Sequence, residues 1–240
     1  MRKLIKILIT IASLFICTIV TTAFINSTDA KSIEFQENEN EIYQCIFDGE
    51  TAYGEIGVIP IKELDNIVEM DASSYSLTKE QKETLTGNAK EKFETFFASG
   101  LASNYADQQI LAYEEIIKTP QTGADCPNSS VGIRSGILNF KLTNLSIHEN
   151  DATVGANYVS YHIWLERELD DKYLLTMTMS QYDNIYILKN DGSGWRIAEI
   201  PQYQQYFAPD NFETVKGVYT TAEEALDAAA KIIPEEENPF

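Results

Sequence analysis

The residues best equipped for chemistry cluster in one stretch, Tyr158-Val-Ser-Tyr-His-Ile-Trp-Leu-Glu166. Its alternation puts Val159, Tyr161, Ile163 and Leu165 on one face of a strand. Tyr158, Ser160, His162, Trp164 and Glu166 fall on the other. His162 with Glu166 or Tyr158, each four residues away on that face, has the types of a base and a group that polarises a carbonyl. A histidine beside a tryptophan on a half-polar sheet face is more often packed and hydrogen-bonded, so the packed reading is preferred and no catalytic residue is assigned. In the following stretch Leu175, Met177 and Met179 alternate with Thr176, Thr178 and Ser180. One oily face and one mixed, aromatic face suit the lining of a pocket, with Tyr158, His162, Trp164, Glu166, Thr178 and Tyr182 as its candidate residues.

Other site chemistry is sparse. The chain has three cysteines and two histidines. Beyond Cys17, Cys45 and Cys126 either form one bridge or remain two buried thiols. A bridge closing a loop of about 80 residues would add about 4 kcal/mol in the chain-entropy model. Cys126 sits between Asp125 and Pro127, which offer a thiolate nothing, so it does not read as a nucleophile. With these two cysteines so far apart and only His148 and His162 available, no zinc set is expected. Glu34, Glu37, Glu39 and Glu41 lack the spaced Asp/Asn and the glycine of a calcium loop and read as a solvated acidic stretch. There is no G-x-S-x-G elbow, phosphate loop, dinucleotide glycine pattern or H-E-x-x-H. Neither metal nor cofactor is expected.

The elements that would position these residues begin after an export signal. Arg2, Lys3 and Lys6 precede a run from Ile7 to Ile25 without a charge. Such a run would span roughly 28 Å as a helix, about one hydrocarbon core, so it can serve as an anchor. Small residues at Thr21-Thr22-Ala23 or Thr28-Asp29-Ala30 equally suit cleavage of a signal peptide. Ile16 before Cys17 argues against a lipoprotein. Either way the bulk of the chain is expected outside the cytoplasmic membrane, secreted or tethered to its outer face. The net charge of −19, from 37 acidic and 18 basic residues, excludes the electrostatic footprint of a nucleic-acid binder.

Residues 31–75 form an acidic lead segment with short apolar runs, Ile42 to Phe47 and Ile56 to Ile61, expected as edge strands or an arm. Thr78 caps a helix whose stripe of Leu85, Ala89, Phe93, Phe96 and Phe97 ends at Ser99-Gly100. A second helix runs from about Asn104 to Pro120. Four strands follow, roughly Gly136 to Ile147, Ala152 to Leu169, Lys172 to Lys189 and Trp195 to Ile200, separated by short turns as in an antiparallel meander. Strands of that length must curl. Residues 201–219 lack periodicity. Thr221, with Glu224 three residues on, caps a last helix that Pro234 ends. This gives a signal or anchor over 1–30, the lead segment over 31–75, an α+β domain over 76–208, and a C-terminal helix with an acidic tail over 209–240.

Two helices, a loop and a long curled meander closing on Asp191-Gly-Ser-Gly-Trp-Arg-Ile197 resemble the nuclear-transport-factor-2-like, or cystatin-like cone, superfamily over roughly Ser76 to Ile200. The resemblance implies helices packed on a curved sheet around a conical pocket. Its members include isomerases, dehydratases, secretion-system components and noncatalytic exported domains, so membership would not fix the function. The preferred expectation is an exported, noncatalytic domain that binds a protein partner or a small apolar ligand in its concavity. The alternatives are an isomerase- or dehydratase-like enzyme and a membrane-tethered secretion or conjugation component, with the membrane met only through the N-terminal segment.

Overall fold

The computed structural model describes residues 35–59, 79–118, 129–167, 172–207 and 213–238. The chain divides into two units, Met1–Ile42 and Tyr43–Phe240. In the first, residues 35–42 are helical; the rest of this unit, with the expected signal or anchor over 1–30 and Cys17, lies outside the described residues. Among the described residues no helix is long and apolar enough to cross a membrane.

The second unit begins in helix, residues 43–54 (α1), where the apolar run suggests an edge strand or an arm over the main domain. Helical spacing wins because Ile46, Gly49, Glu50 and Tyr53 recur at three- and four-residue intervals, and Ile46, Gly49 and Glu50 are all buried. Of the second apolar run only Ile56 to Ile59 are described: Ile56 and Gly57 lie in a turn, and Val58 bridges in parallel to Gly132. The expected helix from Thr78 breaks into α2 (Lys79–Thr86) and α3 (Ala89–Glu94). Gly87, a poor helix former, closes the last turn of α2 on the Glu83 carbonyl, and Asn88 leaves helical geometry before α3 starts. Then α4 runs over Ser99–Lys118, starting five residues earlier than its sequence pattern implies.

Four strands, β1 (Ser129–His148), β2 (Asp151–Arg167), β3 (Tyr173–Asn190) and β4 (Trp195–Gln202), form the expected antiparallel meander in the order β1-β2-β3-β4. Two further strands appear in the aperiodic stretch, β5 (Gln205–Phe207) and β6 (Glu213–Tyr219), both paired to β3. They were hard to read because β5 is only three residues long and β6 leaves Val215 and Val218 exposed, so neither shows clean alternation. The C-terminal part is therefore no appendage. Helix α5 (Ala222–Lys231) sends Ala225, Leu226 and Ala229 into the core cluster with Val159, Ile163, Leu165, Leu175 and Met177. The chain is α+β, as its sequence pattern implies.

Curling has a residue-level cause. Between Leu138 and Lys141, and again between Thr143 and Ser146, β1 carries one residue more than β2 opposite it. Each extra length contains an asparagine in the left-handed region, Asn139 (φ 54°) and Asn144 (φ 53°), a conformation that asparagine tolerates better than most L residues. A third shift lies between Gly132 and Arg134. Bulges confined to one long strand bend it and raise its twist, so the sheet turns one face inward.

That inward face carries the even-numbered residues of β2 and β3, since Tyr158 pairs with Tyr182 and His162 with Thr178. The odd-numbered face is the oily one covered by α5. On the inward side α1 lies over the sheet: Tyr43 and Phe47 meet Phe140, which meets Tyr158. Phe93, Phe97, Tyr105 and Tyr53 continue the aromatic packing. The edge of β4 is covered where the Ile197 N–H donates to the Phe96 carbonyl (2.8 Å) and the Ala98 N–H to the Ile197 carbonyl (2.9 Å), so it offers no free edge there.

Candidate functional site

Helix α1 places one carboxyl in the core. Glu50 occupies a position that its neighbours Ile46 and Gly49 make a core position, and it is 6% exposed. A lone buried carboxylate would cost several kcal/mol, so its surroundings decide its state. The Tyr158 hydroxyl donates to Oε2 (2.8 Å) and the Tyr186 hydroxyl to Oε1 (3.0 Å). Asn184 donates through Nδ2 to both hydroxyls, at 3.2 and 3.1 Å. Its amide orientation is fixed from the other side, because the Gln204 backbone N–H donates to Asn184 Oδ1 (3.0 Å). Each member thus has partners, as a buried polar network requires. Burial pushes the Glu50 carboxyl above its ordinary range, outweighing the two tyrosine bonds that pull the other way. Tyr158 and Tyr186 are pushed up too, by burial and then by the nearby Glu50.

Beside this network a cavity of about 290 Å³ opens between α1 and the inward sheet face. Glu50, Tyr53 and Gly54 line it from the helix, and Tyr158, Ser160, His162 and Tyr182 from the sheet. Tyr203 closes one side and is tilted against Tyr182 with ring centroids 5.4 Å apart. Tyr158 and Tyr182 stack, 5.1 Å apart and 16° from parallel. His162 Nε2 lies 3.0 Å from the Gly54 carbonyl. A carbonyl only accepts, so Nε2 carries the hydrogen and the neutral ring keeps its lone pair on Nδ1. Burial lowers the His162 pKa against the opposing effect of that bond. Burial disfavours the charged forms of the histidine, the carboxyl and the phenols alike, and the cavity wall is rich in hydrogen-bonding groups and holds no lysine or arginine.

Three of the six residues expected from strand alternation, Tyr158, His162 and Tyr182, line this cavity. The other three share the face but lie farther along it. Trp164 stacks on His162 (5.9 Å) and donates to Thr178 Oγ1 (3.3 Å), while Glu166 Oε1 accepts from Thr176 (3.2 Å). The alternation identifies the face correctly, but only the part of it beneath α1 becomes a cavity. Glu50, Tyr53 and Tyr203 escape the sequence reading because they come from the lead segment and the aperiodic stretch. One signal was available for Glu50: at helical spacing it falls among Ile46, Gly49 and Tyr53, where a solvated acid has no place.

Cys45 carries a free, buried thiol. Its sulfur lies 3.2 Å from the Trp195 carbonyl and 3.5 Å from that of Phe96, and burial pushes its pKa up to about 12. It is an inert packing group. Cys126, its expected alternative partner, lies outside the described residues. Among the described residues no cluster of histidine, cysteine and carboxylate side chains could hold a metal ion. No family model matches this chain, and neither a curated protein nor a solved structure does.

Proposed function

We propose that the second unit is a noncatalytic binding module for a small, uncharged, planar ligand, exported behind the basic and apolar N-terminal segment. The observation that carries this reading is the aromatic cavity under α1, whose lining holds no lysine or arginine. Its volume, about 290 Å³, lies at the lower end of ligand sites and suits a single ring with few substituents. Stacked tyrosine faces favour a planar partner, and the hydroxyls of Tyr53, Tyr182 and Ser160 can donate or accept. An anion would meet no positive charge among the lining groups. Both Glu50 oxygens and His162 Nε2 are already engaged within the protein, which favours binding over turnover. The cone-superfamily likeness supports the same reading, since a pocket between helices and a curled sheet is that fold's usual site.

Calorimetric titration with phenol and with benzoate tests the reading. Phenol should bind saturably and benzoate at least tenfold more weakly. Ser160→Phe, which fills the cavity, should abolish phenol binding. Equal binding of both probes, or phenol binding unaffected by Ser160→Phe, contradicts it.

One observation favours a second reading, an isomerase- or dehydratase-like enzyme: Glu50 is a carboxyl with a raised pKa bordering the cavity. In that reading Tyr158 and Glu50 polarise a carbonyl while the proton of a neighbouring carbon passes to Nδ1 of His162, which holds the ring's lone pair. Deuterium exchange into cyclohexanone distinguishes the two. Binding alone gives no acceleration, whereas the enzyme gives an acceleration that Glu50→Gln removes.

A further inference from the structure

The aromatic cavity under α1 has room, at about 290 Å³, for one ring with few substituents. Any larger group on that ring must leave through the mouth. Two side chains stand there, Tyr203 and Gln108, both lining the cavity and both exposed, Tyr203 to 50%. Tyr203 belongs to the Tyr- and Gln-rich stretch 201–206, every residue of which is exposed, and it is held in place. The Gln204 N–H donates to Asn184 Oδ1 (3.0 Å), the Asp183 N–H donates to the Gln204 carbonyl (3.0 Å), and the Tyr203 hydroxyl donates to that of Tyr182. Its ring is thus a fixed platform, tilted 59° against Tyr182, with half its surface in solvent. Gln108 comes from α4, makes no hydrogen bond to another described residue, and offers both donors and an acceptor.

An aromatic face beside an unengaged amide narrows the chemistry of the protruding group. An anion would meet neither lysine nor arginine in the lining, on a chain whose net charge is −19. A cation would find Glu50 as the carboxyl of the lining, but both Glu50 oxygens are taken by tyrosine hydroxyls. A hydrocarbon chain would pack on Tyr203 while stripping water from the Gln108 amide without replacing its hydrogen bonds. A sugar meets both demands. Its axial C–H groups make an apolar face that packs on an aromatic ring, and its hydroxyls donate and accept.

We infer that the ligand of this cavity is an aryl glycoside, its planar ring inside and its sugar at the mouth, stacked on Tyr203 and hydrogen-bonded by Gln108. The inference rests on the binding function proposed above and adds the class of ligand. A β linkage, equatorial in glucose, keeps the aryl group and the sugar in line, as passage through one opening requires.

Calorimetric titration of the full chain with phenol, anisole, phenyl β-glucoside, methyl β-glucoside and benzyltrimethylammonium tests it. Phenyl β-glucoside should bind about tenfold more tightly than anisole, which has the same ether oxygen without the sugar, and about tenfold or more tighter than methyl β-glucoside, which lacks the ring. Gln108→Ala changes an exposed side chain, so it should keep Tm and phenol affinity while cutting the advantage of the glucoside over anisole to about threefold. Tyr203→Ala should remove that advantage. A glucoside no tighter than anisole, or an advantage that survives both substitutions, overturns the inference and, where phenol still binds, leaves the cavity reading standing. Benzyltrimethylammonium binding more tightly than the glucoside also overturns it, since the mouth would then select a cation. If neither phenol nor the glucoside binds, the proposed function fails and the inference with it.

Discussion

At the scale of single residues, the protein turns on a carboxyl held where carboxyls are rarely held. Glu50 gives the network of Tyr158, Tyr186 and Asn184 its centre, and its raised pKa fixes the sign of a pH effect. The folded state binds the Glu50 proton more tightly than the unfolded chain, in which the carboxyl has its ordinary value of 4.5. This residue's contribution is therefore fully present below pH 4.5 and is lost as pH rises toward the raised value, by up to about 1.4 kcal/mol per pH unit. Glu50→Gln keeps the shape and removes the titration. Urea denaturation of both proteins from pH 4 to 8 should show the wild type losing ground to Glu50→Gln as pH rises. A difference constant across that range would mean that Glu50 does not titrate abnormally. Tyr186→Phe removes one donor from a buried acceptor and should lower stability by about 1–3 kcal/mol.

At the scale of elements, bulges and caps shape the site. Asn139 and Asn144 give β1 the extra residues that curl the sheet around α1. Asn144→Val places a β-branched residue in left-handed geometry and should cost about 1–2 kcal/mol, whereas Asn144→Gly should be nearly neutral. Helix α5 carries the cap that its sequence advertises: Thr221 Oγ1 accepts from the Glu224 N–H (3.2 Å), and Glu224 reaches back to Thr220. Thr221→Ala should lower stability by about 1 kcal/mol, measured by thermal or urea unfolding. Such local signals made the meander and α5 legible, because alternation and capping are properties of neighbouring residues. Helix α1 and strands β5 and β6 were not legible. Glu50 interrupts the apolar stripe of α1 for a reason that lies on β2 and β3, more than a hundred residues away. β5 and β6 are strands because β3 offers them partners, which their own composition does not announce.

At the scale of the whole molecule, one curled sheet serves two faces differently. Its oily face closes on α5, and its mixed face meets α1 to leave the aromatic cavity. The sequence carried the distinction between the faces, and with it Tyr158, His162 and Tyr182. It did not carry which helix covers the mixed face, so the half of the cavity contributed by Glu50 and Tyr53 emerges only from the fold. Net charge gave no clue to the ligand: the acidity belongs largely to the surface, while the cavity is aromatic and its lining holds no lysine or arginine. The most direct test of that central claim is an NMR titration of ¹³C-tyrosine-labelled protein with phenol. The ring resonances of Tyr53, Tyr158 and Tyr182 should shift together and saturate, and Ser160→Phe should erase the effect. Shifts confined to tyrosines outside the cavity, such as Tyr173 and Tyr219, or no shifts at all, would contradict the account.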